Sequence, residues 1–298
     1  PDPYVPRSLT FEVPERINSA GAAHTALDEA ATIEIIAKLK DAEVEAVAVC
    51  FLWSISNPMH ELRVGELLEE HLPGVPYTLS HQINPALREY RRASATAIDA
   101  SLKPLMGKYL GGLTERLTAS GFEGRTLVLT SQGGMLDASD LAQKPIHAIN
   151  SGPSMAPIAG RNYADIDSGV SNVIIADTGG TTYDVSLVRD GRIPLTKETW
   201  IGQPFRGHMT GFPSIDIKSV GAGGGSIAWV DAGGLLHVGP QSAGAVPGPV
   251  CYAAGGVEPT VTDACVSLGY LDPNYFLGGT MTLDAEGARA AVAQYVAE

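Results

Sequence analysis

The chain reads as an α/β protein, and three observations carry that reading. Over residues 27–79 amphipathic helices alternate with apolar strands, the pattern of a layered α/β fold. Residues 126–130 (TLVLT) read as a buried strand that runs into Ser131-Gln132-Gly133-Gly134, and open α/β sheets place ligands at such strand ends. Two more apolar strands, 173–177 and 183–188, flank a glycine loop.

Taken in order, the opening is loop-like, with Pro1, Pro3 and Pro6, and 9–13 alternates apolar and polar residues as a strand does. Residues 27–39 set Leu27, Ala31, Ile35 and Leu39 on one helical face. Residues 44–52 are nearly continuously apolar and β-branched, which predicts a buried parallel strand. A helix over 59–71 ends at Leu72-Pro73-Gly74, and 76–79 is a short strand. Helix dominates 86–120, with a break or kink expected at Pro104, which lacks the amide donor and clashes with the preceding turn. After Ile149-Asn150-Ser151-Gly152-Pro153 a helix is expected to about Arg161, with Ser151 as its cap and Pro153 in its first turn. Asp190-Gly191 marks a tight turn. Residues 221–256 then hold eleven glycines in 36 positions. Short strands at 227–230 and 235–238 lie within them, joined by an Asp231-Ala232-Gly233-Gly234 turn. A turn at Gly278-Gly279 precedes a last helix over about 284–296.

Bulk properties exclude more than they identify. The 298 residues are 44% hydrophobic and 18% charged, with net charge −13 and no run of five like charges. A diffuse acidic balance argues against nucleic-acid binding, which needs clustered Lys and Arg. No apolar run reaches the ~18 residues of a membrane-spanning helix. Cys50, Cys251 and Cys265 form no CxxC pair or disulfide framework, which fits a reducing cytoplasm. Cys50, inside Val47-Ala48-Val49-Cys50-Phe51-Leu52, reads as a buried structural thiol.

The chemistry concentrates in Asp177-Thr178-Gly179-Gly180-Thr181-Thr182-Tyr183-Asp184. Binding a polyphosphate requires backbone N–H groups that point at it with nothing bulky between. Gly179 and Gly180 permit that approach, and Thr181 and Thr182 offer hydroxyls. Asp177 ends a buried apolar strand, where a carboxylate is costly unless it holds metal-bound water or a hydrogen-bond network. Asp184 lies beyond the turn, able to face the same space. A plain glycine-looped hairpin would need no such Asp and Thr frame. The loop joins two strands and lacks the GxxxxGK[ST] pattern, so it is not a Walker loop.

Asp-x-Gly-Gly-Thr hairpins of this kind resemble those of actin-like ATPases and sugar kinases. More closely, the chain resembles the hydantoinase A / 5-oxoprolinase family. The matching blocks include Leu87-Arg88-Glu89-Tyr90-Arg91-Arg92-Ala93-Ser94, Ser151-Gly152-Pro153, and Val220-Gly221-Ala222-Gly223-Gly224-Gly225-Ser226. Others are Val238-Gly239-Pro240-Gln241-Ser242-Ala243-Gly244-Ala245, Pro247-Gly248-Pro249-Val250-Cys251-Tyr252 and Pro259-Thr260-Val261-Thr262-Asp263-Ala264. The resemblance implies actin-like (ribonuclease H-like) ATPase lobes with a glycine-rich β segment. On that reading 1–85 is the remainder of an N-terminal α/β region. Residues 86–298 form the ATP-binding lobe, with its phosphate hairpin at 173–188 and glycine-rich segment at 220–256. It implies ATP with Mg2+ or Mn2+, and activation of a cyclic amide carbonyl by phosphorylation for hydrolysis. It also implies a partner subunit of the hydantoinase B type in a cytoplasmic hetero-oligomer. The related acetone and acetophenone carboxylases leave a ketone-carboxylating subunit as the alternative, and a non-catalytic scaffold lobe as a second. The family's first phosphate hairpin has no counterpart in this sequence, so an internal piece of a longer subunit is expected.

The expected roles follow. Asp177 and Asp184 are the catalytic carboxylates, with Asp177 on the metal. Thr178, Gly179, Gly180, Thr181 and Thr182 grip phosphates. Ser151 and Gly152, at a helix start, can meet an anion but serve equally as a plain cap. Gly221, Gly223, Gly224 and Gly225 either approach adenosine or pack as a tight turn. Gln132, Gly133 and Gly134 are open to both readings. His208 with Asp216 lacks metal-ligand spacing. Asp263 either caps a helix over 264–269 or orients the glycine-rich segment or faces the cleft, the cap being the favoured reading. Arg88 and Arg92 belong either to a solvated helix face or to a substrate or partner contact.

Overall fold

The computed structural model describes residues 3–297. The chain divides into two compact units, Pro1–Met155 with Leu195–Ile215, and Ala156–Pro194 with Asp216–Glu298. A boundary at 85/86, expected from the sequence, is not where these units divide. The long helix Glu89–Ala119 just after it packs on strands before it and on short helices after it, and all of them fall within the first unit.

In the first unit, helix α1 (Glu29–Asp41) starts at Asp28, whose carboxylate accepts the Ala31 N–H at 2.9 Å. Strand β1 (Val47–Val49), helix α2 (Met59–His71) and strand β2 (Tyr77–Leu79) form a parallel βαβ unit, with Val47 opposite Tyr77 and Val49 opposite Leu79. Ile36, Leu39, Val49, Leu67, Leu68 and Leu79 bury its core. The strand expected at 9–13 does not form. Its residues keep an alternating burial pattern, and Phe11 packs on this core, but no strand pairs with them among the described residues. Helix α3 (Glu89–Ala119) runs through Pro104 without ending. Buried Ile98 and Ala100 before the proline, and Leu110 after it, anchor both halves and override the lost bond.

Strand β3 (Leu127–Leu129) pairs antiparallel with β4 (Met135–Asp137), followed by helix α4 (Ala138–Gln143). Ser131-Gln132-Gly133-Gly134 is therefore the turn of a hairpin, closed by Thr130 N–H to Gly134 O at 2.9 Å with Gly133 at φ +80°. Leu127 is exposed, which corrects the expectation of a buried strand here. Short strands at Leu195–Thr196, Trp200–Ile201, His208–Met209 and Ser214–Ile215 complete this unit.

Helix α5 spans Met155–Ser168, longer than expected, because nothing breaks it before Gly169 at φ +62°. In the second unit, strands β5 (Val173–Thr178), β6 (Tyr183–Val188) and β7 (Ile217–Val220) form an antiparallel sheet ordered β7-β6-β5. Gly160 of α5 lies so close to Ile175 that a methyl group there would overlap it. Asp190 and Gly191 both adopt positive φ, as the predicted tight turn requires. Strands β8 (Ser226–Val230) and β9 (Leu236–Ser242) make the second hairpin. Helices α6 (Val261–Ser267) and α7 (Ala285–Val292) pack around Cys251, Val266, Leu283 and Ala288. The final helix starts at its Asp284 cap as expected but gives way to a π turn at Ala293–Ala297. Among the described residues no helix is long and apolar enough to cross a membrane.

Candidate functional site

Register places the two carboxylates. Asp177 on β5 stands opposite Asp184 on β6, and Asp184 stands opposite Ser219 on β7, so the three side chains share one row on one face of the sheet. Asp177 is exposed, whereas Asp184 is only 9% accessible. Asp184 Oδ2 accepts the Thr182 hydroxyl at 3.3 Å, while its Oδ1 is buried with no partner among the described residues. A buried carboxylate oxygen without a donor is unfavourable. It suits a bound cation or the water that such a cation carries.

The tip completes the arrangement. Gly179 N–H donates to Thr182 O at 2.9 Å, but the return bond of an ordinary hairpin is not made. The Gly179 carbonyl instead accepts Gly224 N–H at 2.9 Å, and the Gly180 carbonyl accepts Gly225 N–H at 2.6 Å. The N–H groups of Gly180, Thr181 and Thr182 consequently donate to nothing among the described residues. Three successive free donors in a glycine turn make a nest for phosphate oxygens. The space beside Gly180 is open, since a methyl group there would meet nothing within 4 Å.

The glycine-rich segment lies under this tip. A Cβ on Gly223 would sit 2.5 Å from Thr181 N and 2.6 Å from Thr182 N. The Gly224 carbonyl accepts both the N–H and the hydroxyl of Thr262, each at 2.8 Å. Asp263 is fully buried and is not the cap itself: Thr260 caps α6, and Asp263 is the third residue of a capping box. Its carboxylate also accepts Cys251 N–H at 2.7 Å and Val250 N–H at 3.2 Å. Burial first, then the Asp263 carboxylate, push the Cys251 thiol up to about 12.

The other expected residues make contacts of their own. Ser151 does not cap α5, because the helix starts at Met155 and Ser154 immediately precedes it. Ser154 is buried and donates to Thr130 O at 2.9 Å. Gly152 lies in the same turn, next to Ser151. Asp216 pairs with Lys218 at 2.8 Å, and His208 packs edge-on against Tyr4. Arg88 is exposed at φ +84°, whereas Arg92 is fully buried and bonded to Phe51 O, Ala86 O and Ser80, which removes it from any solvated face. No group of three or more His, Cys, Asp or Glu is placed to hold a metal alone among the described residues. Sequence reasoning missed Ser219 and Thr262; only strand register and a contact across 38 residues reveal them.

The Hydantoinase/oxoprolinase family model matches residues 92–298, and the Hydantoinase/oxoprolinase N-terminal region model matches residues 1–72. The chain is 42% identical to caprolactamase subunit alpha of Pseudomonas jessenii, over 99% of this chain and 42% of that one. It is 37% identical to the acetophenone carboxylase gamma subunit of Aromatoleum aromaticum, over 100% of this chain and 41% of that one. The crystal structure of the ATP-dependent caprolactamase from Pseudomonas jessenii superposes with a TM-score of 0.79 at 41% identity, covering 97% of this chain and 41% of that one. The chain thus spans about two fifths of the length of these relatives. With two family models covering most of its length, the chain belongs to the hydantoinase/oxoprolinase family.

Proposed function

We propose that this chain carries the phosphate-binding lobe of an actin-like, ATP-dependent enzyme that activates a cyclic amide carbonyl for hydrolysis. The nest at Gly180, Thr181 and Thr182 above the unpartnered Asp184 oxygen carries the reading. When bound, ATP supplies the phosphoryl group that makes the carbonyl carbon electrophilic. The chain's own share is positioning and charge neutralisation, which is what phosphoryl transfer mainly requires. The three N–H groups and the Thr181 and Thr182 hydroxyls hold phosphate oxygens. Asp184 and Asp177 hold Mg2+ or Mn2+ through its water, and two carboxylates with phosphate oxygens suffice for such an ion. A hydantoinase B-type subunit is the expected partner, in keeping with the subunit names of the relatives.

Magnesium–ATP titration of the full-length protein, wild type against Asp177→Ala and Asp184→Ala, tests this reading. Both variants should lose binding and turnover; normal ATPase activity in either sinks its metal role. The likeness to an acetophenone carboxylase subunit keeps ketone carboxylation as the second reading. Assays with a cyclic amide or a ketone, each with and without bicarbonate, separate the two. Bicarbonate-independent turnover of the amide excludes the carboxylase, and a wild type that takes up no ATP leaves only a scaffold lobe.

A further inference from the structure

We infer that Gly223, Gly224 and Gly225, held from behind by Thr262, act as a positioning device that turns the hairpin tip's N–H groups outward, and do not themselves touch adenosine. The inference rests on the phosphate reading of the hairpin and assigns the glycine-rich segment its part in it.

In an isolated two-residue hairpin the closing pair exchanges two bonds, so the Thr182 N–H would be spent on the Gly179 carbonyl. Here Gly224 N–H occupies that carbonyl at 2.9 Å, and Gly225 N–H occupies the next at 2.6 Å. The competition frees the Thr182 donor and fixes both tip peptides with their oxygens inward and their N–H groups outward. Two successive N–H groups reach two successive carbonyls only if the backbones nearly touch. The measure of that approach is Gly223, where any side chain would meet the Thr181 and Thr182 main chain at 2.5–2.6 Å. Backbone cannot swing aside as a flexible side chain can. A Cβ on Gly225 would likewise sit 2.8 Å from Ser242 Oγ and 3.1 Å from Gly180 O.

The segment is itself braced. Gly224 O accepts the N–H and hydroxyl of Thr262, Gly225 O accepts Ala243 N–H at 2.8 Å, and Gly223 N–H donates to the fully buried Ser226 hydroxyl at 2.8 Å. Thr262 is therefore a positioning residue for phosphate, acting through Gly224 and never meeting the ligand.

Calorimetric titration of the full-length protein with magnesium–ATP, magnesium–tripolyphosphate and AMP tests this, using wild type, Gly223→Ala, Thr262→Val and Thr262→Ser. Gly223→Ala should lose about tenfold or more in affinity for both ATP and tripolyphosphate, the worth of one or two hydrogen bonds to a charged ligand. Thr262→Val should lose about fivefold and Thr262→Ser should recover it. AMP binding should hold at the wild-type level throughout. A fall in AMP affinity matching that for ATP, or unchanged tripolyphosphate affinity, overturns the positioning role in favour of adenosine contact. If Gly223→Ala does not fold, the Thr262→Val and Thr262→Ser pair decides alone, because valine matches threonine in shape. A wild type that binds neither ATP nor tripolyphosphate overturns the phosphate reading and this inference together, whereas wild-type binding with indifferent variants overturns this inference alone.

Discussion

The first unit holds a buried charged cluster and the second holds a buried carboxylate, and they are finished differently. Glu61, Ser80 and Arg92 are all fully buried. Glu61 Oε1 accepts Phe51 N–H at 2.9 Å and the Ser80 hydroxyl at 2.6 Å, and its Oε2 meets His81 N–H at 3.1 Å and His81 Nδ1 at 2.6 Å. Arg92 spends its donors on Ser80 Oγ, Ala86 O and Phe51 O, at 3.0, 3.2 and 2.6 Å. Both polar groups of Phe51 are thereby gripped, and the chain leaving β1 is pinned. Asp184 is nearly as buried but keeps one oxygen idle beside three idle N–H groups. Saturation fits a polar cluster that serves the fold, whereas unpartnered donors beside an unpartnered acceptor are what the proposed ligand role requires.

The comparison can be broken at either end. Arg92→Met should destabilise by about 4 kcal/mol, because Ser80 Oγ and the Ala86 and Phe51 carbonyls lose a charged donor in a buried cluster, and denaturant unfolding measures it. An Arg92→Met protein as stable as wild type would show that the cluster is not what holds the first unit. Asp184→Asn should leave unfolding nearly unchanged but reduce ATP turnover about 100-fold, the scale of one misplaced charge in a phosphoryl-transfer site. Steady-state ATPase rates and a melting curve on the same sample check both halves.

Asp263 lies between the extremes, bonded to four donors yet one residue from the brace on Gly224. Asp263→Asn should cost about 2 kcal/mol and lower ATP affinity alongside it; stability lost with affinity intact would place it wholly with the fold. The smallest effect concerns Cys251. With its thiol moved from 9.0 to about 12, it should resist iodoacetamide at pH 8 in the folded protein and react once unfolded, as read by mass spectrometry. The unfolded chain releases this proton first, so the thiol's contribution to stability is complete below about 9 and declines as pH rises towards about 12.

The hairpin was legible because its apolar strands and its Asp, Gly and Thr residues are contiguous. The βαβ unit was legible through helical and strand periods, and the Met59–His71 helix falls on its predicted bounds. What escaped were relations between distant residues. The unit boundary was hidden because α3 serves cores on both sides of the expected cut. The burial of Arg92 stayed hidden between a solvated face and a substrate or partner contact, because its partners are Ser80 Oγ and two main-chain carbonyls, which no side-chain pattern announces. The glycine-rich segment showed that something approaches closely, without showing that the approaching group is the hairpin itself.

The row formed by Asp177, Asp184 and Ser219 also limits how the gene can change. Side chains alternate faces along a strand, so inserting or deleting one residue within β6 would turn Asp184 to the far face and bring Tyr183 or Val185 into its place. Single-residue length changes in that strand should be absent from functional variants, while the Asp190-Gly191 turn beyond it tolerates them. A deep insertion and deletion scan would therefore trace the site as a gap in permitted lengths, with no ligand in the assay.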